Sequence, residues 1–486
     1  MRIILLSLLV FCSLLLVAQA YEPVFLNGPV HFKSQSGYMI PYRIDSIVHH
    51  GDTTDYYSFK MIRPLGDGYQ DLFTLKGGSW IGKKIERRPN GEWRFYNCID
   101  KPLILMQNAI DEQSWVFYLC DDGSYFQARV FEVNQRMVLG QLDSVKQICL
   151  QYYDSDGNAT DHPFNSDTLE LSKNHGLVSV FDFYYFPYSG YDFFDYTASY
   201  INGKLILAGI EELDLEYRNI TAMDVFTYNI DDELHLNQVN NGFCDQFINY
   251  KTIRKIIQRD ISSSAILNYQ AEYCTRKTNY YFTSGIETID TFHFINNISY
   301  NLNNFAFINK LSFEPFSENN EYFSFLIAQG NFKMENGGVV FHHIDADIVD
   351  YMMIDGYSIF YYYKGFGGPF IHTETFEGCC FNDNIIYYKI SGIEFGTPYN
   401  CSQLLPVEQS NNSKISISPN PVVDVLYVSG NESISAILIY DQMGKLLIEK
   451  TDIPDFGTDI SFLPAGLYLL QINTRNGVVM KKFVKM

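Results

Sequence analysis

Asn-Gly and Asp-Gly pairs recur along this 486-residue chain, at Asn90-Gly91, Asn202-Gly203, Asn241-Gly242, Asn336-Gly337 and Asn476-Gly477, and at Asp67-Gly68, Asp122-Gly123, Asp156-Gly157 and Asp355-Gly356. Such pairs accept the positive φ angles of two-residue hairpin turns, so they mark where antiparallel strands reverse. Before the Asp121-Asp122-Gly123-Ser124 turn, Trp115, Phe117 and Leu119 alternate with Val116 and Tyr118, and Phe126 to Val133 continues beyond it as a second strand. Alternation and turn together read as a hairpin. Aromatics make up 16% of the chain and charged residues only 19%, a composition that suits strands around a buried core and excludes a largely disordered chain. Phe243 to Ile261 sets Phe247, Tyr250, Ile253 and Ile257 at helical spacing, but its β-branched content favours a strand. The expected fold class is all-β, antiparallel throughout.

Arg2 precedes an apolar run from Ile3 to Val17, then Ala18-Gln19-Ala20, so residues 1–20 read as a signal peptide cleaved before Tyr21. The run is shorter than the roughly twenty residues of a membrane helix, and no integral membrane segment is expected after its removal. The formal charge is −21, and residues 415–486 contribute six Lys/Arg against seven Asp/Glu, so the acidity lies before them. That field disfavours nucleic acid and anionic lipid as partners. Eight cysteines follow the leader, at 98, 120, 149, 244, 274, 379, 380 and 401. An exported chain can pair them, in any of 105 connectivities. Leu404 to Lys414 loses aromatics and gains small polar residues, which reads as a linker. It separates an acidic all-β region, 21–403, with a weaker break near Glu216 to Thr221, from a last region at 415–486.

The last region holds Ser418-Pro419-Asn420-Pro421, then Pro464-Ala465-Gly466 with Tyr468, then Lys481-Lys482-Phe483. Its residues read as short strands with one apolar face each: Val423, Val425 and Tyr427, then Ile437 and Ile439, then Leu446 and Ile448, then Leu467 to Ile472. Six or seven such strands would make a small β-sandwich. Pro419 and Pro421 lack backbone donors, which suits an edge. In order and spacing the three motifs resemble the type A C-terminal sorting domain of cargo of the bacterial type IX secretion system. The resemblance implies export across the outer membrane via the periplasm, with the type IX machinery and its sorting-domain processing enzyme as partners. It further implies release of the cargo or its attachment to surface polysaccharide.

The passenger offers weaker signals. Asp154, Asp156 and Asn158 present oxygens at alternate positions, as calcium loops do, but Ala159 and Asn165 stand where a helix-loop-helix site wants Gly and Glu. A polar hairpin turn is expected there, with a partial calcium site completed by Asp161 as the alternative; no other cofactor is expected. His343, Asp345 and Asp347 would share one face of a strand, as metal ligands or as its ordinary polar side. His49-His50-Gly51-Asp52 reads as a loop. Gly77-Gly78-Ser79-Trp80-Ile81-Gly82 lacks the second glycine of a nucleophile elbow, so Ser79 is not expected to be catalytic. Carboxylate pairs at glycosidase spacing stay open, since only distance selects them. Trp80, Trp93, Trp115 and Tyr361-Tyr362-Tyr363 are candidates for a sugar-stacking platform, against the plainer reading of core packing. Leu171 to Val178 resembles the strand-turn of lipoprotein-carrier half-barrels, which implies curved sheets able to hold an apolar ligand.

The sequence therefore reads as a secreted or surface-displayed all-β protein whose passenger, of one or two domains, has a binding or structural role. A secreted hydrolase acting on polysaccharide or protein and a carrier of an apolar ligand are the alternatives. A binder should show an exposed aromatic strip, a hydrolase convergent acids or a metal in a cleft, a carrier a concave apolar pocket.

Overall fold

The computed structural model describes residues 21–486 apart from 65–71, 166, 188–202, 243–245, 264, 282–283, 318–321, 337–338, 346–347, 354–356, 375–379, 405–414, 431–433, 442–444, 452–456 and 475–476. Strand takes up 62% of the chain and helix 5%, and none of the described antiparallel sheets closes into a barrel. The chain divides into two compact units, residues 1–405 and 406–486.

A 19-stranded sheet dominates the first unit, beside sheets of six and five strands. It begins as a meander, Ser114–Leu119, Tyr125–Val138, Gln141–Tyr153, Thr168–Ser172 and Gly176–Val180, and reaches Leu205–Ile210. Val30–Lys33 and Tyr38–Tyr42 then carry it to Ile327–Gln329, so the sheet passes from one side of Glu216–Thr221 to the other without a gap. It continues through Phe332–Asn336, Tyr357–Tyr363, Gly367–Glu374 and Cys380–Ile390 to the long strands Glu233–Gly242, Gln246–Ser263, Ile266–Tyr281 and Ile286–Asn301. One buried cluster gathers Trp80, Trp93, Phe95, Phe117, Phe126 and Phe183; a second gathers Phe226, Tyr228, Leu267, Tyr269, Ile308 and Tyr362.

Gln246–Ser263 is a strand, as its β-branched content favours over its helical spacing, and strands on both sides satisfy its backbone. The Asp122-Gly123 hairpin forms, with Leu119 opposite Tyr125, Gly123 at φ 87° and Cys120 N donating to Ser124 O at 2.8 Å. Its facing departs from strict alternation. A bulge between Val116 and Tyr118 inserts Phe117 as an extra residue, so Phe117 and Tyr118 are both buried and Leu119 turns outward, 58% exposed. Asn90-Gly91 turns Lys84–Arg87 into Glu92–Tyr96, with Gly91 at φ 80°. Asn241-Gly242 instead ends a strand, opposite Phe247 and Gln246, and residues 243–245 lie outside the described set. Asp67-Gly68, Asp355-Gly356, Asn202, Gly337 and Asn476 also lie outside it.

In the second unit, Ser416–Ser418, Val425–Ser429 and Thr458–Asp459 form one sheet, and Ile434–Tyr440, Leu446–Lys450, Gly466–Thr474 and Gly477–Lys485 another. A single core of Val422, Leu426, Ile437, Ile439, Leu470, Ile472 and Phe483 serves both. Ile437 and Ile439 bury as their alternation predicts. The entry strand faces the other way from its reading: Val422 and Leu426 are buried, while Val423 and Tyr427 are 51% and 45% exposed. The cause is Val422, whose N donates to Val484 O at 2.8 Å and so sets the register from outside the strand.

Candidate functional site

The three C-terminal motifs meet in space. Pro419 and Pro421 cannot donate to a ladder, and between them the Asn420 side chain takes the place of a backbone amide. Its Nδ2 donates to Lys482 O at 3.1 Å, and its Oδ1 accepts from Val484 N at 2.9 Å. Val422 extends this clasp, its carbonyl accepting from Met486 N at 2.9 Å. From the adjoining strand, Tyr468 donates its hydroxyl to Pro464 O at 2.7 Å and stacks on Phe483 at 5.5 Å. Tyr468 and Phe483 are buried and Gly466 and Lys481 half-buried, whereas Ser418, Pro419, Asn420, Pro421, Pro464, Ala465 and Lys482 are exposed. The motifs thus combine residues that fix the last strand with residues that form an accessible surface beside it.

In the first unit, a Ser, a His and an Asp converge that the sequence reading did not single out. Asp143 accepts from Ser172 Oγ, from Asn174 N at 2.9 Å and Nδ2 at 2.7 Å, from Ser144 N at 2.8 Å, and bonds His175 Nδ1 at 2.8 Å. A catalytic triad needs hydroxyl and carboxylate on opposite ring nitrogens of the imidazole; here both sit at His175 Nδ1, Asp143 at 2.8 Å and Ser172 Oγ at 3.4 Å, and Ser172 and His175 are both buried. Burial opposes ionisation of Asp143, but the bonds from Ser172, Asn174, His175 and Ser144 outweigh it and hold its pKa below the ordinary value. The cluster clamps the turn between Thr168–Ser172 and Gly176–Val180. Its members lie 29 and 32 positions apart, a spacing with no local signature. An open cleft of about 720 Å³ beside it is lined by Tyr21, Gln107, Asp143, Lys146 and Asn174. Lys146 Nζ donates to Gln107 O at 2.6 Å and sits 3.9 Å from the Tyr21 ring centre, and burial lowers its pKa to about 8.

The Gly77–Gly82 segment is a packing element. A Cβ on Gly77 would come within 2.3 Å of the buried Arg63 side chain, and one on Gly78 within 2.4 Å of Gly82 O, so glycine is required there by close approach. Ser79, Trp80 and Ile81 are fully buried.

Asp154 Oδ1 accepts from the backbone of Asp156 at 3.0 Å and of Asn158 at 2.8 Å, and its Oδ2 from Asn158 Nδ2 at 3.2 Å. The loop's own donors therefore engage this carboxylate, in the manner of an Asx turn. His343 and Asp345 lie on Val339–Asp345 with a register shift between them, and Asp347 is outside the described residues. His49 and His50 end the strand Ile44–His50 and are not a loop; its neighbour Thr53–Ser58 pairs with it from the turn onward. Among the described residues no group of three or more His, Cys, Asp or Glu is placed to hold a metal.

Trp80 and Trp93 are fully buried and belong to the core. The tyrosine run behaves otherwise. Tyr362 is buried, and Tyr361 and Tyr363 alternate with it onto the opposite side, half-buried. There Tyr363 meets Phe332 at 5.2 Å, Tyr361 at 6.0 Å and Phe366 at 6.1 Å; Phe366 meets Tyr388 at 4.6 Å, and Tyr388 stacks on Phe395 at 5.6 Å. This strip runs across several strands, half-buried along its length and ending at Phe395, 64% exposed.

An all-β molecule with a separate C-terminal unit, whose motifs knit the last strand and leave a turn on show, has the architecture of an exported protein carrying its export signal at its end. Residues 416–486 match the secretion system C-terminal sorting domain, the domain of type IX cargo. The chain is thereby marked for the type IX machinery and for the cell surface or extracellular space. No curated protein matches it. Among the described residues no helix is long and apolar enough to cross a membrane.

Proposed function

We propose that the passenger is an extracellular binding module and that the aromatic strip from Phe332 to Phe395 is where it holds an extended ligand, a surface polysaccharide. The observation that carries this is a connected row of rings left accessible on a sheet whose other side packs the core around Tyr362. Flat apolar faces with phenolic hydroxyls at their edges suit sugar rings, which present C–H faces and equatorial hydroxyls. The route to that site begins with signal peptide 1–20 and the periplasm. It ends with the C-terminal domain, a β-sandwich around its single core, being recognised and removed by its processing enzyme, and the cargo joined to polysaccharide or released.

The test is retention of the purified full chain on surface polysaccharide from the producing cells. Tyr388→Ala with Phe395→Ala is expected to weaken retention by about tenfold or more, equivalent to about 1.4 kcal/mol. Retention equal to that of the unsubstituted chain would remove the strip from consideration.

A further inference from the structure

The strand Ile286–Asn301 is 16 residues long. Among the described residues it pairs on one side only, with Ile266–Tyr281, in unbroken register from Ile286 opposite Tyr281 to Asn301 opposite Ile266. Its apolar side chains stand open on both faces, with Ile289 47%, Phe292 47%, Phe294 46% and Ile295 59% exposed. Natural sheets blunt such edges with lysine, proline or a bulge. This strand has none of these, and its charged residues are Glu287 and Asp290 alone, with His293 between its phenylalanines.

We propose that this edge pairs with the same strand of a second copy of the chain, extending the sheet across a two-fold axis. Antiparallel strands related by a two-fold normal to the sheet keep the same face, so the register must centre on one residue. Centred on His293, Phe292 meets Phe294 of the second copy twice over, and Ile286 likewise meets Tyr300. Glu287 meets Ser299 and Asp290 meets Asn296, so no carboxylates oppose each other and aromatic pairs sit at the centre. Centring on Phe292 or Phe294 would instead set Asp290 against Phe294 or Ile298. The central side chains are already held for this contact. Phe294 stacks on Tyr273 at 5.2 Å, and His293 Nε2 lies 2.7 Å from Glu272 Oε1. Self-complementarity in charge and in apolar contact is what selects a second copy over a foreign strand.

Sedimentation of the full chain is expected to give twice the mass of one chain, and Phe292→Asp with Phe294→Asp to halve it while circular dichroism stays unchanged. Independently, His293→Cys should cross-link copies under mild oxidation far beyond the unsubstituted chain. Thr291→Cys and Ile295→Cys, which oppose each other and not themselves, should cross-link less. A single-chain mass at every concentration, or cross-linking strongest at a position other than 293, overturns the proposal.

Discussion

Lys333 shows how far one residue can depart from its local pattern. In Phe332-Lys333-Met334-Glu335 the alternation puts the apolar residues inward, yet Lys333 and Glu335 are buried and Phe332 and Met334 only half-buried. The reason is tertiary: Lys333 Nζ donates to the carbonyls of Ile308 and Lys310 at 2.5 and 2.6 Å, closing the end of the short helical segment Leu302–Asn309. Burial, opposed more weakly by Glu314, Glu211 and Asp224, lowers its pKa to about 7. An unfolded lysine keeps its proton to about pH 10.4, so between those values the unfolded chain binds more protons and stability must rise with pH. Lys146, lowered to about 8, acts in the same direction. Above pH 10 the trend should reverse, because Tyr184, raised to about 12 by burial, resists an ionisation that the unfolded chain allows. The urea midpoint is accordingly expected to climb from pH 7 toward 10 and then fall, with Lys333→Met flattening the climb. A midpoint that is flat from pH 7 to 9 would mean the ammonium is retained inside.

At the scale of elements, what repeats locally was legible and what depends on a distant partner was not. The Asp122-Gly123 and Asn90-Gly91 turns and the strand nature of Gln246–Ser263 follow from residue types within a few positions. The Phe117 bulge does not, since it answers to packing of Phe117 against Phe183 and Phe186 from another segment. Nor does the disulfide found among the described residues. Cys274 in Ile266–Tyr281 bonds Cys401 in the helix Cys401–Leu404, 127 residues on, with the preceding segment held by Tyr399 N donating to His235 Nδ1 at 2.9 Å. A cross-link closing so long a loop should stabilise by about 3 to 5 kcal/mol in the chain-entropy account. Cys274→Ser with Cys401→Ser is expected to lose that amount in denaturant unfolding. Reductant should bring the parent down to the variant and leave the variant where it is; if reductant lowers both alike, the stabilising cross-link lies elsewhere.

For the whole molecule, the contrast in legibility comes from how each site is assembled. The C-terminal motifs occupy about seventy consecutive residues, so order and spacing survive in the sequence even though the Asn420–Lys482 clasp does not. The aromatic strip draws Phe332, Tyr388 and Phe395 from three different strands and Phe366 from a turn, and only Tyr361 and Tyr363 lie close enough to hint at it. The two units also differ physically. The second has its own core and nearly balanced charge, whereas the first carries the acidic excess and a disulfide, a bond that forms in oxidising compartments. Folding of the first unit therefore should not need the second, while its export should. Deleting residues 415–486 is expected to leave the passenger folded, with Cys274 and Cys401 oxidised, in the cell-associated fraction and absent from the surface and the medium. Fractionation with thiol labelling reads both properties at once. Passenger still outside the cell would refute the role of the C-terminal unit in export, and a retained passenger with both thiols free would place its arrest before the oxidising compartment instead of at the outer membrane.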